Sequence, residues 1–204
     1  VPPGVVNLVN GRGPETGAAL VGHPDIDVIA FTGGTATGRL IGAQAGGGIK
    51  KVVTELGGKS ANIIFADTDF DRALDAALVA IFSNNGQQCL AGSRILLQRS
   101  IAERFTAAFV ARAKSLTIGD PYSLNTEIGP LISADQMNRV LSYAEQARSM
   151  EGIEVLTGGT RDSHFEKGYF VTPTVVTAAN NGLPICQEEI FGPFATILTF
   201  DSEE

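Results

Sequence analysis

The chain has 204 residues, 44% of them apolar and 18% charged, with 24 glycines and a net charge of -7. That is enough apolar sequence for one large domain or parts of two, and the glycines point to tight turns and close backbone approaches. An acidic chain without a basic patch argues against nucleic acid, and no apolar run approaches the roughly 18 residues of a membrane helix.

The first third alternates strand and helix. "GVVNLVNG" is a β-branched run ended by Gly11, and "ETGAALVGH" is a short helix candidate. "DVIAFTGG" is a continuous apolar strand ending in two glycines, "TATGRLIGAQAG" a second helix, and "KKVVTELGG" a third strand. Short apolar strands alternating with helices indicate parallel βαβ units, here about half of a doubly wound nucleotide-binding sheet. The expected boundary lies at Gly57-Gly58, where strand chemistry gives way to a new segment.

Beyond it the helices strengthen. Thr68 with Asp71 resembles a capping box before "FDRALDAALVAIF", where Phe70, Leu74, Ala77, Leu78 and Ile81 fall at helical spacing. Ser100 with Glu103, and Ser133 with Gln136, predict two further helix starts. Strands are expected at "RILLQ", "IEVLTGG", "YFVTPTVV" and "FATILTF". The chain starts without methionine and stops just after a strand, and is expected to be a piece of a longer protein.

Two cysteines, Cys89 and Cys186, stand far apart, and neither His23 nor His164 lies near them, so a metal site has almost no support. No signal peptide is visible, reduced thiols are the simpler reading of two distant cysteines, and a cytoplasmic location is expected. Cys89, in "FSNNGQQCLAGSR", follows a helix that should stop at Asn84-Asn85-Gly86 and therefore sits on a polar loop. A buried small hydrophobe is the common state of cysteine, but a loop thiol has the access a nucleophile needs. Cys186, in "LPICQEEIF", lacks that context and is expected to be structural.

Three further stretches carry chemistry. "FTGGTATG" runs a strand through glycines into a helix start, where free N–H groups and the helix dipole favour phosphate, although Gly33, Gly34 and Gly38 do not make the GxGxxG fingerprint. A tight turn that merely needs glycine explains the same pattern. "GGKS" is no phosphate-cradling P-loop, because the required glycine position is Val53. Glu55 ends an apolar strand, where ligands bind in open α/β sheets; it is either a general base or a surface glutamate. "QEEIFGP" pairs two acids with an aromatic before a turn, either as a solvated corner or as a carboxylate for ribose hydroxyls beside a ring.

"FTGGTATGR", "VTELGGKSANIIFADTDFD", "FSNNGQQCLAGSR" and "QEEIFGPF", in this order, resemble the NAD(P)-dependent aldehyde dehydrogenase superfamily, and the family's glutamate-to-cysteine separation recurs as 89 - 55 = 34. The resemblance implies an α/β fold, the second half of a Rossmann-like parallel sheet followed by most of an α/β catalytic domain. It implies a partial NAD(P)-binding domain over 1–58 and a partial catalytic, thiol-bearing domain over 59–204. Cys89 would be the nucleophile and Glu55 the general base. Gly33, Thr35 and Gly38 would line the cofactor's pyrophosphate and nicotinamide side, and the Leu56 carbonyl would meet its carboxamide. Glu189 would bind the nicotinamide ribose, Phe191 would pack beside the ring, and Gly13 would lie near the adenosine end. Gly34 stands where the family more often has serine. The expected cofactor is NAD or NADP, the partner a small-molecule aldehyde, and the full-length assembly a homodimer or homotetramer, with no metal, nucleic acid or membrane. Readings left open are a CoA-acylating relative, a cysteine acyltransferase or hydrolase, and a non-catalytic nucleotide-binding module.

Overall fold

The computed structural model describes residues 1–203. The chain forms two compact units, Val1–Gly57 and Gly58–Glu204.

In the first unit, β1 (Val28–Gly33) and β2 (Lys51–Leu56) pair in parallel, joined by helix α2 (Thr35–Gly47). A wide helical turn, Gly13–Gly17, leads into the short α1 (Ala18–Gly22). The expected strand over "GVVNLVNG" does not form. Its Val5, Val6, Leu8 and Val9 are exposed, and the run pairs with neither β1 nor β2, so its β-branched propensity is not backed by a ladder.

The second unit is a five-stranded mixed sheet of order β3-β4-β7-β6-β5. It comprises β3 (Ala61–Ile64), β4 (Arg94–Gln98), β5 (Ile153–Thr157), β6 (Thr174–Ala178) and β7 (Phe194–Phe200). All neighbours are parallel except β5 and β6. Both faces are covered, which is why the central strands read as continuous apolar runs. On one face, Ile95, Leu97, Val175 and Ile197 pack with α3 (Phe70–Phe82) and α4 (Arg99–Ser115) around a stack of Phe82, Phe105 and Phe109. On the other, Val176, Phe194 and Leu198 pack with α5 (Ala134–Ser149) and the one-turn α6 (Pro184–Gln187). The α/β class is therefore the observed one.

Local signals fared unevenly. Ser133 caps α5, its Oγ accepting from Gln136 N at 3.2 Å. Thr68 does not cap α3; Asp69 does, its carboxylate accepting from Arg72 N. Ser100 lies inside α4 rather than before it, since the helix already begins at Arg99. The preceding Gln98 turns its side chain to Ala66 N at 2.8 Å, tying β4 to the end of β3. Strand β3 itself carries no turn or alternation signal long enough to mark it.

Candidate active site

Helix α3 ends at Phe82 and the chain turns sharply through Ser83–Gly86. Asn84, Asn85 and Gly86 all have positive φ, at 49°, 57° and 70°. Asparagine tolerates that region better than other side-chain-bearing residues, and glycine tolerates it freely. Gly86 has a second reason to be glycine: a Cβ there would stand 2.1 Å from the Gly192 carbonyl oxygen. The polar side chains of the loop pin it outward. Asn85 Oδ1 accepts from Gly129 N at 2.8 Å and its Nδ2 donates to Pro130 O, while Gln87 Oε1 accepts from Ile132 N. Gly92 N donates to Ala80 O at 2.9 Å and closes the far side. The result is a fixed loop that presents Cys89 to solvent. Among the described residues the Cys89 N–H has no acceptor, so a donor sits free beside the thiol. Cys186, by contrast, is buried in α6, and burial pushes its thiol pKa up, which keeps it protonated and unreactive.

Gly58 joins two of the expected site residues. Its N–H donates to Glu189 Oε1 at 3.4 Å, and a Cβ on it would lie 2.8 Å from the Cys89 carbonyl oxygen. Phe191 follows Glu189 by two positions, partly exposed, with φ 61°. Holding a phenylalanine in that left-handed region costs on the order of 1–2 kcal/mol, so the surrounding contacts must over-determine it. A small cavity of about 10 Å³ is lined in part by Gly58, Lys59, Gln88, Glu189 and Phe191. Lys59 is a group the sequence reading passed over. Its Nζ is buried and has no hydrogen-bond partner among the described residues. Burial above all pulls its pKa from 10.5 to about 8; the Cys186 thiol and Glu189 push the other way, and Arg94 and Arg139 add to the lowering.

In the first unit, β1 and β2 are in register with Thr32 opposite Glu55 and Gly33 opposite Leu56. Glu55 is exposed at the end of its strand. Gly38 is buried on the first turn of α2, where a Cβ would meet the Leu56 side chain at 2.5 Å, so glycine sets the helix-to-strand distance. Gly33, Gly38 and Leu56 are thus brought together, with Thr35 at the helix start. The first intrahelical bond of α2 runs from Gly38 N to Gly34 O at 3.0 Å, which leaves the N–H groups of Thr35, Ala36 and Thr37 without helical acceptors. Gly34 offers no side-chain cap, and nothing lies within 4 Å of where its Cβ would be. An uncapped helix start after a glycine turn is suited to an anionic phosphate. In the second unit the Glu189 carboxylate is suited to accept hydroxyls, so the residues of each unit, taken separately, fit one part of a dinucleotide. Gly13 begins the exposed helical turn near the chain start, apart from this cluster in sequence and environment.

The family model described as "Aldehyde dehydrogenase family" matches residues 1–204. The chain belongs to this family. Among curated aldehyde dehydrogenases it is 43% identical to aminoaldehyde dehydrogenase 2, peroxisomal, of Pisum sativum, covering 100% of this chain and 40% of the relative. It is 42% identical to the chloroplastic betaine aldehyde dehydrogenase of Beta vulgaris, covering 100% of this chain and 41% of the relative. The chain thus spans about two-fifths of the length of these relatives. A betaine aldehyde dehydrogenase of Staphylococcus aureus, solved with NAD+, superposes with a TM-score of 0.96 at 40% identity over 100% of this chain and 41% of its own. The NAD+ complex of a Bacillus cereus aldehyde dehydrogenase gives 0.90 at 48% identity over 95% and 39%. The expected cytoplasmic location is withdrawn, since these aldehyde dehydrogenase relatives carry peroxisomal and chloroplastic names. Free thiols and the absence of a membrane-length helix among the described residues report chemistry, not address.

Proposed function

We propose that the full-length protein carrying this chain oxidises an aldehyde to a carboxylic acid with NAD+ or NADP+. The observation that carries the reading is Cys89, exposed on a loop pinned from both sides, with a free N–H beside its thiol. Val1–Gly57 would belong to the cofactor-binding domain and Gly58–Glu204 to the thiol-bearing domain. Homodimeric or homotetrameric assembly is proposed for the whole protein.

The chemistry follows from the residue types. The Cys89 thiolate adds to the aldehyde carbonyl, forming a C–S bond and an oxyanion that the Cys89 N–H can receive. When bound, the nicotinamide supplies the acceptor for the hydride that leaves the substrate carbon. What remains on the protein is a thioester of Cys89. Glu55 then takes a proton from water; the new C–O bond forms, the C–S bond breaks, and the thiolate is regenerated as the acid leaves. Glu189 would hold the nicotinamide ribose through its carboxylate and Phe191 would flank the ring. Gly33, Thr35, Gly38 and the Leu56 carbonyl would line the rest of the dinucleotide, with Gly13 toward adenosine. A carboxylate base at Glu55 favours water over a thiol as acyl acceptor.

Because relatives are named for betaine aldehyde and aminoaldehydes, nitrogen-bearing aldehydes head the substrate panel. The test is that panel, assayed with both cofactors, on the full-length enzyme and its Cys89→Ala variant. Cofactor reduction lost with Cys89 supports the proposal; reduction that survives in the variant overturns it.

A further inference from the structure

One stripe of α5 meets the segment 188–192. Arg139 Nη2 donates to the Glu189 carbonyl at 2.7 Å, and Gln136 Nε2 donates to the Ile190 and Phe191 carbonyls at 2.8 and 2.7 Å. Three successive carbonyls of one irregular segment therefore each take an N–H from the same helix. Val140 adds a steric stop, since a Cβ on Gly192 would stand 2.4 Å from its Cγ2. Tyr143 donates its hydroxyl to Glu188 Oε2. The Arg139 guanidinium lies 5.3 Å from the Tyr143 ring centroid and reaches the Tyr143 hydroxyl at 3.3 Å. Positions 136, 139, 140 and 143 fall at i, i+3, i+4 and i+7, the spacing of a single helical stripe.

Such a stripe does more than bury surface. Ile190 already anchors the segment in the core at 3% exposure. The added hydrogen bonds fix which way the backbone turns on either side of it, and Phe191, at φ 61°, is the residue that would relax if they were lost. Glu189 is the other, because its carboxylate is aimed only by the backbone that Arg139 holds and by the single long bond from Gly58.

We propose that Arg139, supported by Gln136, is a positioning residue for dinucleotide binding: it sets the backbone from which Glu189 and Phe191 project. This rests on the reading of Glu189 as a ribose contact. Arg139 touches neither substrate nor cofactor in this account and acts through Glu189. Its planar fork makes the carbonyl bond, the hydroxyl bond and the ring contact together, which a lysine ammonium cannot do.

The experiment compares Arg139→Met, Arg139→Lys, Glu189→Gln and the Arg139→Met/Glu189→Gln pair in the full-length enzyme. Measured are KM for the dinucleotide, KM for the aldehyde, and the rate of Cys89 alkylation by iodoacetamide. Arg139→Met is expected to raise the dinucleotide KM on the order of ten- to a hundredfold, the range that a misplacement of about 1 Å reaches. Aldehyde KM and thiol alkylation should hold, Arg139→Lys should recover only part, and the pair should be no worse than Glu189→Gln alone. A Glu189→Gln effect without an Arg139→Met effect overturns the positioning role and leaves the ribose reading standing. No effect in either variant overturns both. Equal losses in both KM values and in alkylation would make Arg139 a general structural residue and equally overturn the proposal.

Discussion

Replacing Lys59 by methionine should stabilise the protein at neutral pH. The lysine carries a buried ammonium without a hydrogen-bond partner among the described residues, and methionine keeps an unbranched stem of similar length without the charge. A folded-state pKa of about 8 against 10.5 means that burial disfavours the charged form. At about 1.36 kcal/mol per pH unit, that difference is worth about 3 kcal/mol below pH 8. The sign follows from proton binding. Between pH 8 and 10.5 the unfolded chain holds a proton that the folded chain has released, so wild-type stability rises with pH across this window. The advantage of Lys59→Met should therefore be about 3 kcal/mol at pH 7 and fall to about 1 kcal/mol at pH 9.5. Urea unfolding followed by circular dichroism at both pH values measures it, and the same difference should appear as a rise in Tm of roughly 6–12 °C at neutral pH. A variant no more stable than wild type at pH 7, or an advantage that does not shrink by pH 9.5, would show that burial does not penalise the Lys59 ammonium.

Gly86→Ala should cost on the order of 1–3 kcal/mol from its left-handed backbone alone, and more from the collision with Gly192 O; thermal unfolding reads the loss. Gly34→Ser should be neutral to slightly stabilising, by a few tenths of a kcal/mol, because the position is extended and open and a serine hydroxyl there can cap α2; the same melts compare it with wild type. Under native conditions iodoacetamide should label Cys89 rapidly and Cys186 only after unfolding, as peptide mass spectrometry would show.

What could be read from the sequence was mostly local. Ser133 and Gln136 announce a helix start because their bond spans only three residues. The "NNG" that ends α3 announces a loop because asparagine and glycine accept positive φ, and Cys89 accordingly lies exposed there while Cys186 is buried. Ser100 misled because α4 already begins at Arg99, and the Gln98 before it spends its side chain on Ala66, in the turn after β3, rather than on a cap. "GVVNLVNG" misled because β propensity alone does not secure pairing, and the run joins neither β1 nor β2. The hold of α5 on residues 188–192 was out of reach, since it joins side chains to backbone carbonyls about fifty positions away. Lys59 was illegible for a similar reason. After two glycines it reads as a solvated loop lysine, and only the packed fold reveals that its ammonium is enclosed.

The proposed chemistry turns on a thioester at Cys89 that Glu55 helps to hydrolyse. Its most direct test is intact-protein and peptide mass spectrometry of the full-length Glu55→Gln enzyme, quenched soon after mixing with aldehyde and oxidised dinucleotide. Expected are a burst of reduced cofactor, slow turnover after it, and an acyl group on the peptide containing Cys89, with steady-state turnover lowered by about 10²- to 10⁴-fold. Unchanged turnover with no acyl adduct on that peptide would contradict it.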